Sequence, residues 1–335
     1  MIYLVQPPFI QLNSPYPSLY YLRSFLERRG YTAGVDDHSI ALFAEIFSRS
    51  GLERIFADAR RAWEEGKIPG AGHPHTRYNI ERFLSEQTLW LSCIDRLVAF
   101  LRGQDGEWGR LLALANGVVP GGPRFDALLD SMNGDPPPNA APLLAGRLLS
   151  DLADFLTVTL DPSFSLIRYA ESLAAGRSAA GPAINPGLRN FPLLRSNLDG
   201  YIMKTFYRPF LERRWEALDA GELEYTAFPL ILLVTIPFPG CLAGALVCAE
   251  SAKRRFGCGT VTIAGGGYVN TELRFMEDGA FFDYFDFVSF DRGYGSLTAV
   301  LDFLRRKQEG AGPVPLYKTL YRSGGRIIRG TRISG

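Results

Sequence analysis

Soft metal ligands are scarce in this chain. Among 335 residues there are four cysteines, Cys93, Cys241, Cys248 and Cys258, and three histidines, His38, His73 and His75. The cysteines form neither a Cys-x-x-Cys pair nor a zinc-ribbon spacing, so no metal site is expected from them. Cys241 and Cys248, seven apart on an apolar segment, read as core thiols, and reduced cysteines point to the cytoplasm. An excess of charge is missing too. The 36 basic and 35 acidic residues leave a formal net charge of +1, without the clustered basic face that nucleic-acid binding normally needs. The group Arg322, Arg326, Arg329 and Arg332 reads as a solvated face. No apolar run approaches the ~20 residues of a membrane span, and the run before Gln6 is too short for a signal segment. No repeat of fixed period occurs.

Apolar residues, by contrast, are plentiful at 47%, ample for a packed core. The length exceeds one average domain, so one large unit or two smaller ones are expected. Three short apolar runs organise the second half: 228–237, 260–264 followed by three glycines, and 285–291. Uninterrupted runs of this length fit strands buried on both faces, as in a parallel sheet. The segment 240–256 is long enough for the crossover helix that a parallel connection requires. The chain opens in the same way, with a strand over 2–5, a helix over 19–29 ended by Gly30, and a strand over 31–35 ended by Asp36-Asp37-His38. Ser14 or Ser18 is a candidate cap for that helix, with Pro15 or Pro17 in its first turn. Together these predict a doubly wound α/β domain of five parallel strands in order 2-1-3-4-5, interrupted after the second strand.

The interruption is long. From residue 40 to 225 the apolar spacing is three and four, with helices predicted over 40–49, 52–65, 78–101, 141–157, 164–174 and 198–218. Proline- and glycine-rich breakers separate them. An all-helical insertion domain over 40–225 is therefore expected, leaving the sheet at the C-terminal end of the second strand and packing over that edge. A last helix over 296–307 closes the α/β domain, assigned to 1–39 plus 226–310. Ser323-Gly324-Gly325 then joins two short strands as a hairpin, and 311–335 reads as a linker toward a further, catalytic domain of a longer protein.

Val5-Gln6-Pro7-Pro8-Phe9, a helix ending in Gly30-Tyr31, and a strand ending in Val35-Asp36 resemble the opening of the cobalamin-binding domain in cobalamin-dependent radical SAM proteins. The strand ending at Gly265-Gly266 and the next ending at Arg292-Gly293 are similar to later motifs of that family. The resemblance covers 1–39 and 228–310. It departs where the family commonly has Gly-Gly-Pro-His and this chain has Gly265-Gly266-Gly267-Tyr268, and where Arg-Gly-Glu-Gly-Glu becomes Arg292-Gly293-Tyr294-Gly295-Ser296. The Cys-x-x-x-Cys-x-x-Cys motif, whose thiolates hold a four-iron cluster, is absent. What the resemblance implies is a flavodoxin-like cobalamin-binding region. The cluster, S-adenosylmethionine, the catalytic residues and the substrate would then belong to a downstream domain, the principal partner.

Such folds bind ligands outside the strand C-termini at the switch in strand order. The expected cofactor-binding residues are therefore Gln6, Pro7, Pro8, Phe9, Pro237, Phe238, Gly240, Gly265, Gly266, Gly267, Tyr268, Arg292, Gly293, Tyr294 and Gly295. The glycines would allow close backbone approach; a tight strand-to-helix turn is the competing reading. Tyr268 and Tyr294 could face a macrocycle or simply pack. His38 nearly completes a D-x-H-x-x-G pattern, yet it follows the second strand rather than the first, so cobalamin is expected without a histidine lower ligand. His73 and His75 read as loop residues. Two other functions stay open: a degenerate flavodoxin-like scaffold that no longer binds cobalamin, and a self-contained enzyme or sensor binding FMN or a nucleotide.

Overall fold

The computed structural model describes residues 1–335 except 11–15, 115–118, 170–171, 178–197, 222–229, 277, 313 and 331–335. It divides into two compact units, Met1–Ile40 with Ala179–Gly335, and Ala41–Ser178.

The first unit begins with β1 (Ile2–Gln6), α1 (Ser18–Glu27) and β2 (Ala33–Asp37). Strand β2 runs through the two aspartates expected to end it, and helix α2 (His38–Ile46) starts at the next residue. Pro17 is the N-cap of α1 and makes no side-chain cap; the candidates Ser14 and Pro15 lie outside the described residues.

The second unit contains α3 (Arg49–Glu64), α4 (Pro74–Ser85), α5 (Gln87–Leu101), α6 (Gly106–Ala113), α7 (Pro123–Ser131) and α8 (Ala141–Thr159). Helix α8 is buried on nearly every face, the pattern of a helix inside a bundle. Phe155 on α8 stacks against Phe83, which stacks in turn on Trp90, at centroid distances of 4.8 and 5.1 Å. The helix expected over 164–174 is instead an antiparallel hairpin, β3 (Phe164–Tyr169) with β4 (Ser172–Arg177). Its apolar residues satisfy a period of two as well as one of three and four, and a segment this short lets pairing decide.

The chain returns to the first unit through a π-helical turn, Met203–Tyr207, and α9 (Arg208–Gly221). The stretch 198–218, expected to belong to the insertion, thus goes with the sheet-bearing unit. There follow β5 (Ile231–Thr235), α10 (Leu242–Phe256), β6 (Val261–Gly265), α11 (Gly267–Thr271), β7 (Phe287–Ser289), α12 (Tyr294–Gln308), β8 (Thr319–Ser323) and β9 (Arg326–Arg329). Phe228 and Pro229, read as the start of the third run, lie outside the described residues.

The sheet has seven strands in the order β2-β1-β5-β6-β7-β8-β9. Pairing is parallel from β2 to β7 and antiparallel from β7 to β9, so the sheet is mixed. The expected linker hairpin is therefore part of the sheet. It pairs along β7, whose three residues are all buried, and covers an edge that would otherwise be left open. Gly324 and Gly325, with φ of 56° and 76°, supply the left-handed pair that a two-residue hairpin turn needs. Beneath one face of the sheet, Leu4, Ile231, Leu233, Ile263 and Phe287 meet Leu19 and Leu26 of α1 and Leu297, Val300 and Leu301 of α12.

Candidate functional site

A cavity of about 420 Å³ opens at the C-terminal ends of β1, β5, β6 and β7, between α1 and α12. Its floor is apolar, from Leu4, Leu233, Val234, Ile263 and Leu297. Polar groups gather above that floor. Ser18 and Thr235 share a hydrogen bond of 3.3 Å between their hydroxyls, and Ser289 and Ser296 share one of 2.6 Å. Asn270 ties two loops together: its amide donates to the carbonyls of Gly266 at 2.9 Å and Asp291 at 3.1 Å. Helices α1 and α12 both begin at the cavity, and neither N-cap offers a side-chain cap. Their opening N–H groups and dipoles favour a negative group there. Tyr294 stacks on Phe25 at 4.6 Å at one side.

The expected residues separate into two sets. Gly265, Gly266, Gly267, Arg292, Gly293 and Tyr294 line the cavity. Gly265 and Gly293 keep it open: a Cβ on Gly265 would meet only the Ser289 carbonyl, at 3.6 Å, and one on Gly293 only Leu22 and Ser289. Gly266 answers to a different constraint. Its φ is 114°, and a Cβ would fall 2.6 Å from the Ile236 carbonyl oxygen, so the β5 backbone requires glycine there.

The loop Gln6, Pro7, Pro8 and Phe9 does not line the cavity; all four residues are buried. Gly244 of α10 lets this loop press close, since a Cβ there would sit 2.4 Å from the Pro8 carbonyl oxygen. Cys241 donates its thiol proton to the Phe9 carbonyl at 3.2 Å, and burial pushes that thiol up to about 12. Pro237 is buried, Phe238 and Gly240 sit near the surface, and Gly295 packs against Tyr317. Tyr268 is buried, which pushes its hydroxyl up to about 12. Asn270 closes the glycine loop expected to extend the crevice, whereas Ser18, Thr235 and Ser289 were not among the expected residues. Their common sequence signal is a small polar residue directly at a strand end or helix start beside an apolar run.

His38 is fully buried. Its Nδ1 lies 3.0 Å from the Tyr207 hydroxyl and its Nε2 3.2 Å from Asp36 Oδ2, while Tyr3 donates to the same Asp36 oxygen at 3.0 Å. Burial alone would raise the Asp36 pKa, but the bonds and charges of His38, Arg214 and Tyr3 outweigh it and hold the carboxyl below its ordinary value. Rings of Tyr207, Phe210 and Trp215 surround the imidazole at 5.2–6.2 Å. This is a satisfied core network that fastens β2 to the helix beginning at the π-turn. His73 and His75 are exposed and stack at the start of α4.

Among the described residues, no group of three or more His, Cys, Asp or Glu is placed to hold a metal ion, and no helix is long and apolar enough to cross a membrane. No family model, curated protein or solved structure matches the chain significantly.

Proposed function

We propose that the sheet-bearing unit is a flavodoxin-like cofactor-binding module, and that its cofactor is cobalamin, as the sequence resemblance implies. The cluster, S-adenosylmethionine and radical chemistry would then reside in a downstream domain, in the cytoplasm. One observation carries the reading: the cavity lies at the C-terminal ends of the parallel strands, where β1 and β5 are neighbours. That is where strand order reverses and where doubly wound sheets take their ligands. At about 420 Å³ it falls within the usual range for a ligand pocket.

The residues fit the anionic tail of such a cofactor. The hydroxyls of Ser18, Thr235 and Ser289 and the first N–H groups of α1 and α12 suit a phosphate and its sugar. The corrin ring would lie outside the cavity, with only the tail entering it. No histidine lines it among the described residues. Cobalamin, when bound, would supply a cobalt able to carry a methyl group, and this chain's own residues would bind and orient it.

Titrating the purified protein with hydroxocobalamin, with FMN and ADP in parallel, tests the reading by absorbance and calorimetry. Hydroxocobalamin should bind. Gly265→Val, which fills the cavity without touching the Ile236 backbone, should weaken binding by about a hundredfold and lower the melting temperature by no more than about 4 °C. FMN or ADP binding in place of hydroxocobalamin would keep the cavity and remove cobalamin. Binding of none of the three would favour a scaffold, the reading that the buried Gln6–Phe9 loop supports.

A further inference from the structure

Beside the cavity, on the side of the β8–β9 hairpin, two cations pair with one carboxylate, a third lies over the neighbouring Phe290 ring and a fourth follows the carboxylate in the chain. Asp291, a cavity residue, pairs with Arg274 at 3.3 Å and with Lys318. Arg329 donates to the Arg274 carbonyl, and the guanidinium groups of both arginines lie over the Phe290 ring at 5.5 and 5.7 Å. Arg292, also a cavity residue, follows Asp291 directly. Among the described residues Asp291 is the only carboxylate paired with any of the four, so most of their charge is left uncompensated. Lys318 holds Asp291 below its ordinary pKa, so the pair is ionised at neutral pH and the surplus is real.

Two further facts separate this bank from an ordinary solvated face. Asp291 and Lys318 both have left-handed backbones, with φ of 61° and 49°, a conformation that residues other than glycine seldom adopt and that recurs at functional sites. The two turns are held face to face, because the Phe290 amide donates to the Lys318 carbonyl at 3.0 Å. The ring of Tyr317, next in the chain, packs at the start of α12, 3.6 Å from where a Gly295 Cβ would lie. The ammonium is therefore delivered to the positive end of α12 by the turn that leads into the hairpin, outside the parallel part of the sheet.

We propose that Arg274, Arg292, Lys318 and Arg329 hold a multiply charged anionic small molecule, a diphosphate or a polycarboxylate, next to the occupant of the cavity. The proposal rests on the reading of that cavity as a ligand site. It assigns to the hairpin the work of presenting a second, anionic molecule to the cofactor. Arg292 and Arg329, which have no carboxylate partner among the described residues, receive the anion without the Asp291 pairs having to break. Recognition by several exposed cations is screened by salt.

Calorimetric titration of the whole chain with inorganic pyrophosphate and with citrate, at low and at high salt, is the test. At least one should bind at low salt, and binding should weaken as salt rises. Pyrophosphate alone would identify a diphosphate, and citrate alone a polycarboxylate. Lys318→Gly removes the ammonium and relieves the left-handed strain, so it should melt no lower than the wild type yet bind about tenfold more weakly. Arg292→Ala should do the same to binding, whereas Arg326→Ala, on the same hairpin but outside the bank, should change nothing. Wild-type protein that binds neither anion, or Lys318→Gly and Arg292→Ala proteins that bind as wild type does, would overturn the proposal. If hydroxocobalamin still binds in that case, the cavity reading survives alone; if anions bind and hydroxocobalamin does not, the bank survives and cobalamin falls.

Discussion

The helical unit and the sheet-bearing unit fill their interiors differently. Residues 41–178 stack aromatic rings, Phe56, Phe83, Trp90 and Phe155 among them, around α8, and the buried carboxylate of Asp151 caps a helix there. Its two oxygens accept the amides of Arg124 and Phe125 at 2.9 Å, at the start of α7. The sheet-bearing unit buries and hydrogen-bonds His38, Thr235, Thr262, Ser289 and Ser296, most of them at strand or helix ends. Polar groups buried at element ends define where loops lie, because each must find its partner. The contrast teaches that precision in this chain is concentrated at the ends of the parallel strands, where the cavity is, and that the helical unit is held by shape.

The largest test of that contrast is a single glycine. Gly266→Val should destabilise the sheet-bearing unit by about 4 kcal/mol, from left-handed strain added to collision with the Ile236 backbone. Gly265→Val, one residue earlier, should cost under about 1 kcal/mol, because it grows into open space. Chemical denaturation of both variants measures the difference, and equal losses would mean that the two glycines do not divide as described. The Gly266 position is consequently unsuited to a test of ligand binding.

Next comes the polar network. His38→Ala should cost about 3 kcal/mol, since it removes one hydrogen-bond partner each from the Asp36 carboxylate and the Tyr207 hydroxyl and leaves a cavity among aromatic rings. Urea unfolding followed by the fluorescence of Trp215, which packs 6.2 Å from the His38 ring, reports it. A loss below about 1 kcal/mol would show that the network does not fasten β2 to its helix.

Smallest is the effect of Asp151. Burial raises its pKa from 3.8 to about 6, so between those values the folded chain holds a proton that the unfolded chain has released. Stability from this group is therefore greatest below about pH 4, declines as pH rises to about 6, and stays at that lower level above it. Asp151→Asn should remove this part of the slope. The check is the difference in unfolding free energy between the two proteins from pH 4 to 7; parallel curves would mean that Asp151 keeps an ordinary pKa and that the helical unit holds its carboxylate as openly as a surface would.

Much of the sheet is legible in sequence. The runs ending at Val5, Thr235, Gly265 and Ser289 are strands because they are apolar on both faces and stopped by proline, glycine or aspartate. The hairpin turn at Gly324-Gly325 is legible for the same local reason. Less was visible where local signals are shared. Residues 164–177 carry a pattern that a helix and a hairpin both satisfy, and 198–218 carry a sound helix whose allegiance to one unit or the other has no local sign. At the candidate site, Gly265, Asn270, Arg292, Gly293 and Tyr294 follow from their place after a strand, whereas Ser18, Thr235 and Ser289 come into view only once the strand ends are assembled.

What the amino-acid sequence determined by itself is where the chain can bury backbone and where it must turn, because apolar runs, prolines and glycines act within a few residues of themselves. Only tertiary structure decided which glycines face protein and which face space. Gly265 and Gly266 are adjacent and chemically identical, yet the first opens a cavity and the second lies against the Ile236 carbonyl. It also decided that Gln6–Phe9 is packed beneath α10, and that Lys318 reaches Asp291. Those are contacts between residues far apart in the chain, set by how strands pair and helices approach, and no local pattern records them.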